Sequence, residues 1–409
     1  VLTLDGRGER ATTTHGVYRE GRYRRLKQVD VPHSLGLLYE EITSHLGFLR
    51  SSDEYKVMAL ASFGEPAYLD QFRELVTLDG AGGYCIAPLE LERRFGPARV
   101  RGGPLEERHF ALAASLQKVL EERVLELAGW LHKQTGLSDL ALAGGVALNC
   151  VMNARLRDRG PFKRVWVQPA AGDAGTALGG ALWIDWQQRR DRKRHWHMEH
   201  AFLGPEYSDE EIEAHLRRAK LSYRRLDDVA EAGAQLLAQN KVLGWFQGRM
   251  EFGPRALGAR SILASPLDAS MQQRLNDIKD REDFRPVAPV VLEEALGDWF
   301  ANPQANDGKA PFMLFVYDVL PDQAARIPAV AHVDGTARVQ TINRSQNPRY
   351  HDLVARFGER TGVPILVNTS FNTRSEPIVC SPRDAVETFY SAPLDALIIG
   401  SFLLQKESA

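Results

Sequence analysis

Two short apolar runs, 140–143 and 165–167, each pass into a turn of small residues and then into a helical segment. Strand, small-residue turn, helix, repeated, is the grammar of an α/β domain. The chain opens with a similar run over 1–4 that ends at Asp5-Gly6, so it reads as starting in mid-fold. Between these signals, 34–49 carries Leu35, Leu38, Ile42, His45 and Leu46 at helical spacing, and 110–132 repeats apolar residues at three and four for a long helix.

A length of 409 residues is too great for one ordinary core and predicts two domains. Composition changes abruptly over 187–200, where a run rich in arginine closes a helix. Cations at a helix C-terminus suit a solvated end and linker. Beyond it, Ser208 precedes Asp209, Glu210 and Glu211 as an N-cap with an acidic first turn. Strand-like runs follow at 242–246, 287–292, 312–319, 364–368 and 397–399, the pattern of an α+β domain on a mixed sheet. The expected division is 1–190, a linker over 191–207, and 208–409.

Charges nearly cancel, leaving a formal net charge of -2, so no global field draws the protein to nucleic acid or to an anionic membrane. The longest apolar runs fall short of the roughly 18 residues needed to span a bilayer. Cys85, Cys150 and Cys380 are far apart and fit neither a disulfide framework nor a metal pattern. They are expected to be reduced, buried packing residues in a cytoplasmic protein.

Three segments of the first half could form a nucleotide site. Asp5-Gly6-Arg7-Gly8-Glu9 offers two glycines whose amides can approach a phosphate, though an Asp-Gly turn also serves as a plain hairpin. Gly144, Gly145 and Asn149 open a helix after a strand, where amides and the helix dipole suit an anion, or where a tight turn needs no ligand. Asp173, flanked by glycines between a strand and a helix, suits a metal or substrate ligand and equally an N-cap. His33, at a helix start, is a further candidate with a structural alternative.

The second half carries a sharper signal. Segment 248–261 sets Arg249, Arg255 and Arg260 among three glycines and ends on Ser261, and 279–286 adds Lys279 and Arg285. Arg338 adds another cation. Guanidinium forks beside glycine-freed amides make a concavity for phosphate, and this number of them implies a polyanionic ligand, with ion pairs to neighbouring carboxylates as the structural alternative. Asn368, Thr369, Ser370 and Asn372 follow a strand and place four polar side chains where a ligand could satisfy them.

In order along the chain, Pro-His-Ser-Leu-Gly-Leu-Leu-Tyr (32–39), Glu-Tyr-Lys-Val-Met (54–58), Leu-Ala-Gly-Gly-Val-Ala-Leu-Asn (142–149), Gln-Pro-Ala-Ala-Gly-Asp-Ala-Gly (168–175), Gly-Pro-Arg-Ala-Leu-Gly-Ala-Arg-Ser-Ile-Leu (253–263), Phe-Arg-Pro-Val-Ala-Pro (284–289) and Asn-Thr-Ser-Phe-Asn (368–372) resemble the NodU/CmcH family of O-carbamoyltransferases. The resemblance implies an actin-like ATPase (ribonuclease H-like) domain, incomplete at its N-terminus, followed by a YrdC-like α+β domain. It implies that the second domain converts carbamoyl phosphate and ATP to carbamoyl adenylate, and that the first transfers the carbamoyl group to a hydroxyl of a small-molecule acceptor. Carried over residue by residue, Arg249, Arg255, Arg260, Lys279, Arg285 and Arg338 would hold carbamoyl phosphate and the ATP phosphates. Asp5, Gly6, Gly8, Gly144, Gly145, Asn149, Ser261, Asn368, Thr369, Ser370 and Asn372 would meet the nucleotide. His33, Asp173, Lys279 and Arg260 are the expected catalytic residues, with Mg2+ accompanying ATP. Asp173 falls where the family places an iron ligand, and the family's histidine partners for Fe2+ are expected upstream of Val1. Where the family tends to have glycine before Glu376, this chain has Ser375. Two rivals stand beside this reading: an enzyme of tRNA threonylcarbamoyl-adenosine modification, and a truncated nucleotide-binding partner without transferase activity.

Overall fold

A computed structural model describes residues 1–189, 196–302, 305–374 and 376–406. Most of the basic run expected as a linker, 190–195, lies outside the described residues, as does Ser375. The chain forms two compact units, 1–197 with 305–307, and 198–304 with 308–409.

In the first unit, β1 (Leu2–Leu4) pairs antiparallel with β2 (Ala11–Arg19), which pairs antiparallel with β3 (Arg22–Asp30). Glu20 and Gly21 join β2 to β3 with φ of 52° and 72°. Two successive left-handed residues give the turn whose twist matches a two-residue hairpin. Nothing in the periodicity of 11–30 predicts these strands. β3 is a sheet edge with Arg22, Tyr23, Arg24 and Arg25 exposed, so burial imposes no alternation on it.

Helix α1 (Leu35–His45) starts at Ser34, whose Oγ accepts from the amide of Leu37 at 3.1 Å. Helix α2 (Glu107–Thr135) is capped reciprocally by Glu106 and His109 and stops at Gly136, which has φ 63°. Its buried Leu116, Leu120, Val124, Leu127 and Leu131 recur every three or four residues, one apolar stripe on an amphipathic helix. β4 (Asp139–Ala143), α3 (Cys150–Arg159) and β5 (Arg164–Val167) follow, with β4 parallel to β1 and β5 parallel to β4. The strand order is β3-β2-β1-β4-β5. The unit closes with α4 (Ala174–Gln188), an apolar sequence of which no described residue is buried. Trp183 and Ile184 on it are 50% and 54% exposed.

The second unit begins with α5 (Asp209–Arg218), where Ser208 and Glu211 form a capping box. β6 (Arg224–Arg225), α6 (Val229–Ala238), β7 (Leu243–Phe246), β8 (Arg260–Ala264), α7 (Ser270–Ile278) and β9 (Ala288–Leu292) follow. β10 (Val316–Asp318) and β11 (Thr336–Arg338) form a separate antiparallel pair, so only part of the expected strand at 312–319 is extended. The remaining elements are β12 (Gln340–Ile342), α8 (Pro348–Thr361), β13 (Ile365–Ser370), α9 (Pro382–Ser391), β14 (Ala396–Ile399) and β15 (Phe402–Gln405). The main sheet runs β12-β9-β13-β8-β7-β14-β15-β6 and is mixed, with β9–β12 and β7–β14 parallel. Every residue of β7, β8, β9 and β14 is buried, as befits strands covered on both faces.

Two sequence expectations are corrected here. Residues 201–205, expected in the linker, belong to the second unit, because Phe252 N donates to Ala201 O at 2.6 Å, Gly204 N to Met250 O at 2.9 Å and Met250 N to Pro205 O at 2.9 Å. All three cysteines are free as expected, but only Cys150 is buried, while Cys85 is exposed and Cys380 intermediate. The fold is mixed α/β throughout, and no helix among the described residues is long and apolar enough to cross a membrane.

Candidate functional site

In the first unit, β1, β4 and β5 run parallel with Leu2 opposite Leu142 and Leu142 opposite Val167. Their C-terminal ends therefore reach one edge of the sheet, and Asp5-Gly6, Gly144-Gly145 and 168–173 all leave from it. That edge of a parallel sheet is where ligand crevices form. Gly144 has φ 94°, and a Cβ there would lie 2.0 Å from the carbonyl oxygen of Leu4. Only glycine lets the exit of β4 pass β1. A Cβ on Gly145 would stand 3.3 Å from Asp5 Oδ1, so the Asp5 carboxylate faces this turn directly. Gly36 serves the same end from α1, since a Cβ on it would fall 2.6 Å from the amide of Gly6.

Asp5 Oδ1 accepts from Gly6 N at 2.7 Å. Burial first, then the charges of Asp173 and Glu40, hold its carboxyl above the ordinary range against hydrogen bonds from Gly6 and Gly145. Asp173 occupies the N-cap position of α4 but its side chain makes no capping bond, and it is exposed. Gly6 and Gly8 lie in the β1–β2 hairpin, where Gly8 N donates to Ala11 O at 3.0 Å. The Asp-Gly segment is thus both a hairpin and a wall of this crevice.

Asn149 and His33 are engaged within the protein. Asn149 caps α3, accepting from Met152 N at 2.9 Å, and donates through Nδ2 to Gln117 Oε1 at 2.8 Å. Gln117 in turn accepts from Tyr39 Oη at 3.1 Å and donates to Glu121 at 3.0 Å. His33 accepts at Nδ1 from the amide of Ile86 at 3.1 Å, which fixes the ring by one nitrogen.

In the second unit, Ser261 stands opposite Ser370 where β8 meets β13. Just beyond, Lys279 Nζ donates to Ser370 O at 2.7 Å, Ser370 Oγ at 3.2 Å, Asn372 O at 2.8 Å and Asn372 Oδ1 at 2.8 Å. Burial, then Arg281 and Arg285, push the Lys279 ammonium well below the ordinary lysine range, with Glu376 opposing. Lys279, Ser370, Asn372 and Arg285 thus fall in one place. Asn368 is buried, donating to Ala256 O at 3.2 Å and Gln340 Oε1 at 2.7 Å. Thr369 pairs with Ile262 in the ladder. Arg338 ends β11, and Arg255 is half-buried at the start of the glycine loop.

Arg260 is placed differently from the sequence expectation. It is fully buried, and its guanidinium donates to the chain's own carbonyls: Gln247 at 2.9 Å, Gly248 at 3.0 Å, Ala259 at 3.2 Å and Pro205 at 3.2 Å. It lies 3.7 Å from the centre of the Phe246 ring. Burial lowers its pKa to about 10, against the opposing charge of Glu251. Ser261 Oγ accepts from Gly258 N at 3.0 Å. Both residues build the loop. Arg249 is exposed and donates once, to Leu203 O at 3.0 Å.

The residue that sequence reasoning missed is Glu251. It is buried, and its Oε1 accepts from the amides of Leu257 at 2.6 Å, Ala259 at 2.7 Å and Arg260 at 3.2 Å. Three amides of the loop expected to cradle a phosphate are taken by this carboxylate. A lone acidic residue among three arginines was the available signal.

Residues 1–182 match the family model described as Carbamoyltransferase N-terminus, and 234–406 the one described as Carbamoyltransferase C-terminus. The chain is 41% identical over 421 residues to Nodulation protein NolO of Bradyrhizobium diazoefficiens, covering 100% of this chain and 76% of that protein. It is 34% identical over 360 residues to 3'-hydroxymethylcephem-O-carbamoyltransferase of Amycolatopsis lactamdurans, covering 87% of this chain and 66% of that protein. Full-length HypF in its phosphate- and nucleotide-bound form is a slight structural likeness, with a TM-score of 0.30, 17% identity, and 46% of this chain and 22% of HypF covered.

Proposed function

Since this chain belongs to the carbamoyltransferase family, we propose that it forms carbamoyl adenylate from carbamoyl phosphate and ATP in its second unit and transfers the carbamoyl group to a small-molecule hydroxyl from its first. The observation that carries the donor half is the cation cluster at Lys279: its buried ammonium, which reaches Ser370 O and Asn372 Oδ1, is pushed down first by burial and then by the charges of Arg281 and Arg285. Such a cluster is relieved by an anion, and carbamoyl phosphate and a nucleoside triphosphate are anions. Arg249, Arg255, Arg285 and Arg338 are the side chains we assign to their phosphates, while Arg260 and Ser261 hold the loop.

The chemistry balances as follows. Water takes the phosphoryl group of carbamoyl phosphate, the P–O bond to the carbamoyl group breaks to release phosphate and carbamate, a carbamate oxygen then bonds to the α-phosphorus of ATP, and the bond to pyrophosphate breaks. The acceptor oxygen then attacks the carbamoyl carbon, its proton is lost, and AMP departs, a better leaving group than a carbamate oxygen.

For the transfer half, support comes from the strand order β3-β2-β1-β4-β5 with β1, β4 and β5 parallel, which we read as the ribonuclease H-like core of an actin-like ATPase domain. Gly144 and Gly145 open the turn for the adenylate, and Asp5 and Asp173 are the carboxylates that would meet Mg2+ arriving with a nucleotide. Iron is a different matter. No group of three His, Cys, Asp or Glu side chains that could hold a metal ion gathers among the described residues, and no step of this reading runs through iron.

The test is carbamoyl-phosphate-dependent pyrophosphate release from ATP, with Arg255→Ala as the comparison. Release that depends on carbamoyl phosphate and falls in the variant is expected. Folded protein that binds ATP and releases no pyrophosphate would overturn the reading.

A further inference from the structure

The backbone of 256–260 is held almost atom by atom. Ala256 O accepts from Asn368, Leu257 O from Gln340 Nε2 at 2.7 Å, and Gly258 O from Trp245 Nε1 at 3.0 Å. On the donor side, Gly258 N goes to Ser261, while Leu257, Ala259 and Arg260 all give their amides to a single oxygen of Glu251. Converging amides of this kind form an anion nest, the device by which glycine-rich loops bind phosphate. Here the chain supplies the anion itself. Arg260 completes the frame by taking the carbonyls of Gln247, Gly248 and Ala259.

We propose that Glu251 is the positioning residue of the carbamoyl-phosphate site: its carboxylate occupies the nest in place of substrate phosphate and so fixes the loop that carries Arg255. This rests on the functional reading above and adds to it a residue that touches no substrate. A filled nest leaves recognition to side chains, which a loop anchored at three amides holds in one place.

Glu251→Ala removes every atom beyond Cβ, and acetate replaces those atoms and their charge. Carbamoyl-phosphate-dependent pyrophosphate release is measured for wild type, Glu251→Ala and Glu251→Gln, with and without acetate, alongside thermal midpoints. Loss of a positioning contact should raise the KM for carbamoyl phosphate about tenfold or more in Glu251→Ala, with the KM for ATP changed less than about twofold. Acetate should restore much of the loss and raise the midpoint of Glu251→Ala, and do neither to wild type. Glu251→Gln retains a carbonyl acceptor for the amides, folds if the alanine variant does not, and should show an intermediate KM. The proposal is overturned by folded variants with an unchanged KM for carbamoyl phosphate, or by an alanine variant that acetate neither rescues nor stabilises. Wild-type protein that releases no pyrophosphate defeats the functional reading and the donor role with it, whereas stabilisation by acetate still decides the nest.

Discussion

Replacing Arg260 with alanine separates a structural arginine from a ligand-binding one. The substitution leaves two buried carbonyl contacts, at Gln247 and Ala259, and two part-buried ones, at Gly248 and Pro205, without their cationic donor. Hydrogen bonds to a charged group contribute about 1.5–3 kcal/mol each, and the part-buried carbonyls regain water, so roughly two bonds are lost, or about 3–6 kcal/mol. In a unit of this size each kcal/mol moves the midpoint by about 2–4 °C, which predicts a fall of roughly 6–24 °C. Arg249→Ala is the internal standard. It is exposed with a single bond to Leu203, so its stability should change by no more than about 0.5 kcal/mol while carbamoyl-phosphate binding weakens. Differential scanning calorimetry of both variants, paired with pyrophosphate release, decides the matter. An Arg260→Ala protein that melts with wild type yet loses activity would refute the structural assignment and return Arg260 to the ligand.

Gly258→Ala should lower the stability read from urea titration by about 2–5 kcal/mol, because φ is 108° and its Cβ would fall 2.2 Å from the Tyr350 ring. An unchanged midpoint would mean that this turn relaxes freely. Ser208→Ala removes half of a capping box and should cost about 1 kcal/mol by the same assay. His15 is buried against the edge of Trp130, and burial lowers its pKa to about 4. Its unfolded value is about 6.5, so the unfolded chain binds the extra proton, and stability is lost as pH falls from about 6.5 towards 4, by up to about 3 kcal/mol. Urea titrations at pH 7 and 4.5 should show that loss in wild type and a smaller one in His15→Leu; equal losses would remove His15 as its source.

Much of this protein is legible in its residues. The apolar runs, the cap at Ser208, the helix over 107–135 and the glycine at 144 follow from local rules, since each depends on neighbours within a few positions. The parallel strand ends that gather Asp5, Gly145 and Asp173 were marked by the turns that follow them. Residues 11–30 escaped because an edge hairpin is under little pressure to alternate, and the exposure of α4, an apolar sequence, is decided by the tertiary structure. The sharpest division lies within 248–261. Its arginines and glycines announce a charged loop, but an arginine fork binds carbonyl oxygen as readily as phosphate oxygen, and an amide nest accepts a glutamate as readily as a ligand. Which oxygens meet Arg260, and which anion fills the nest, depends on residues as distant as Pro205 and Asn368, so only the tertiary structure decided it.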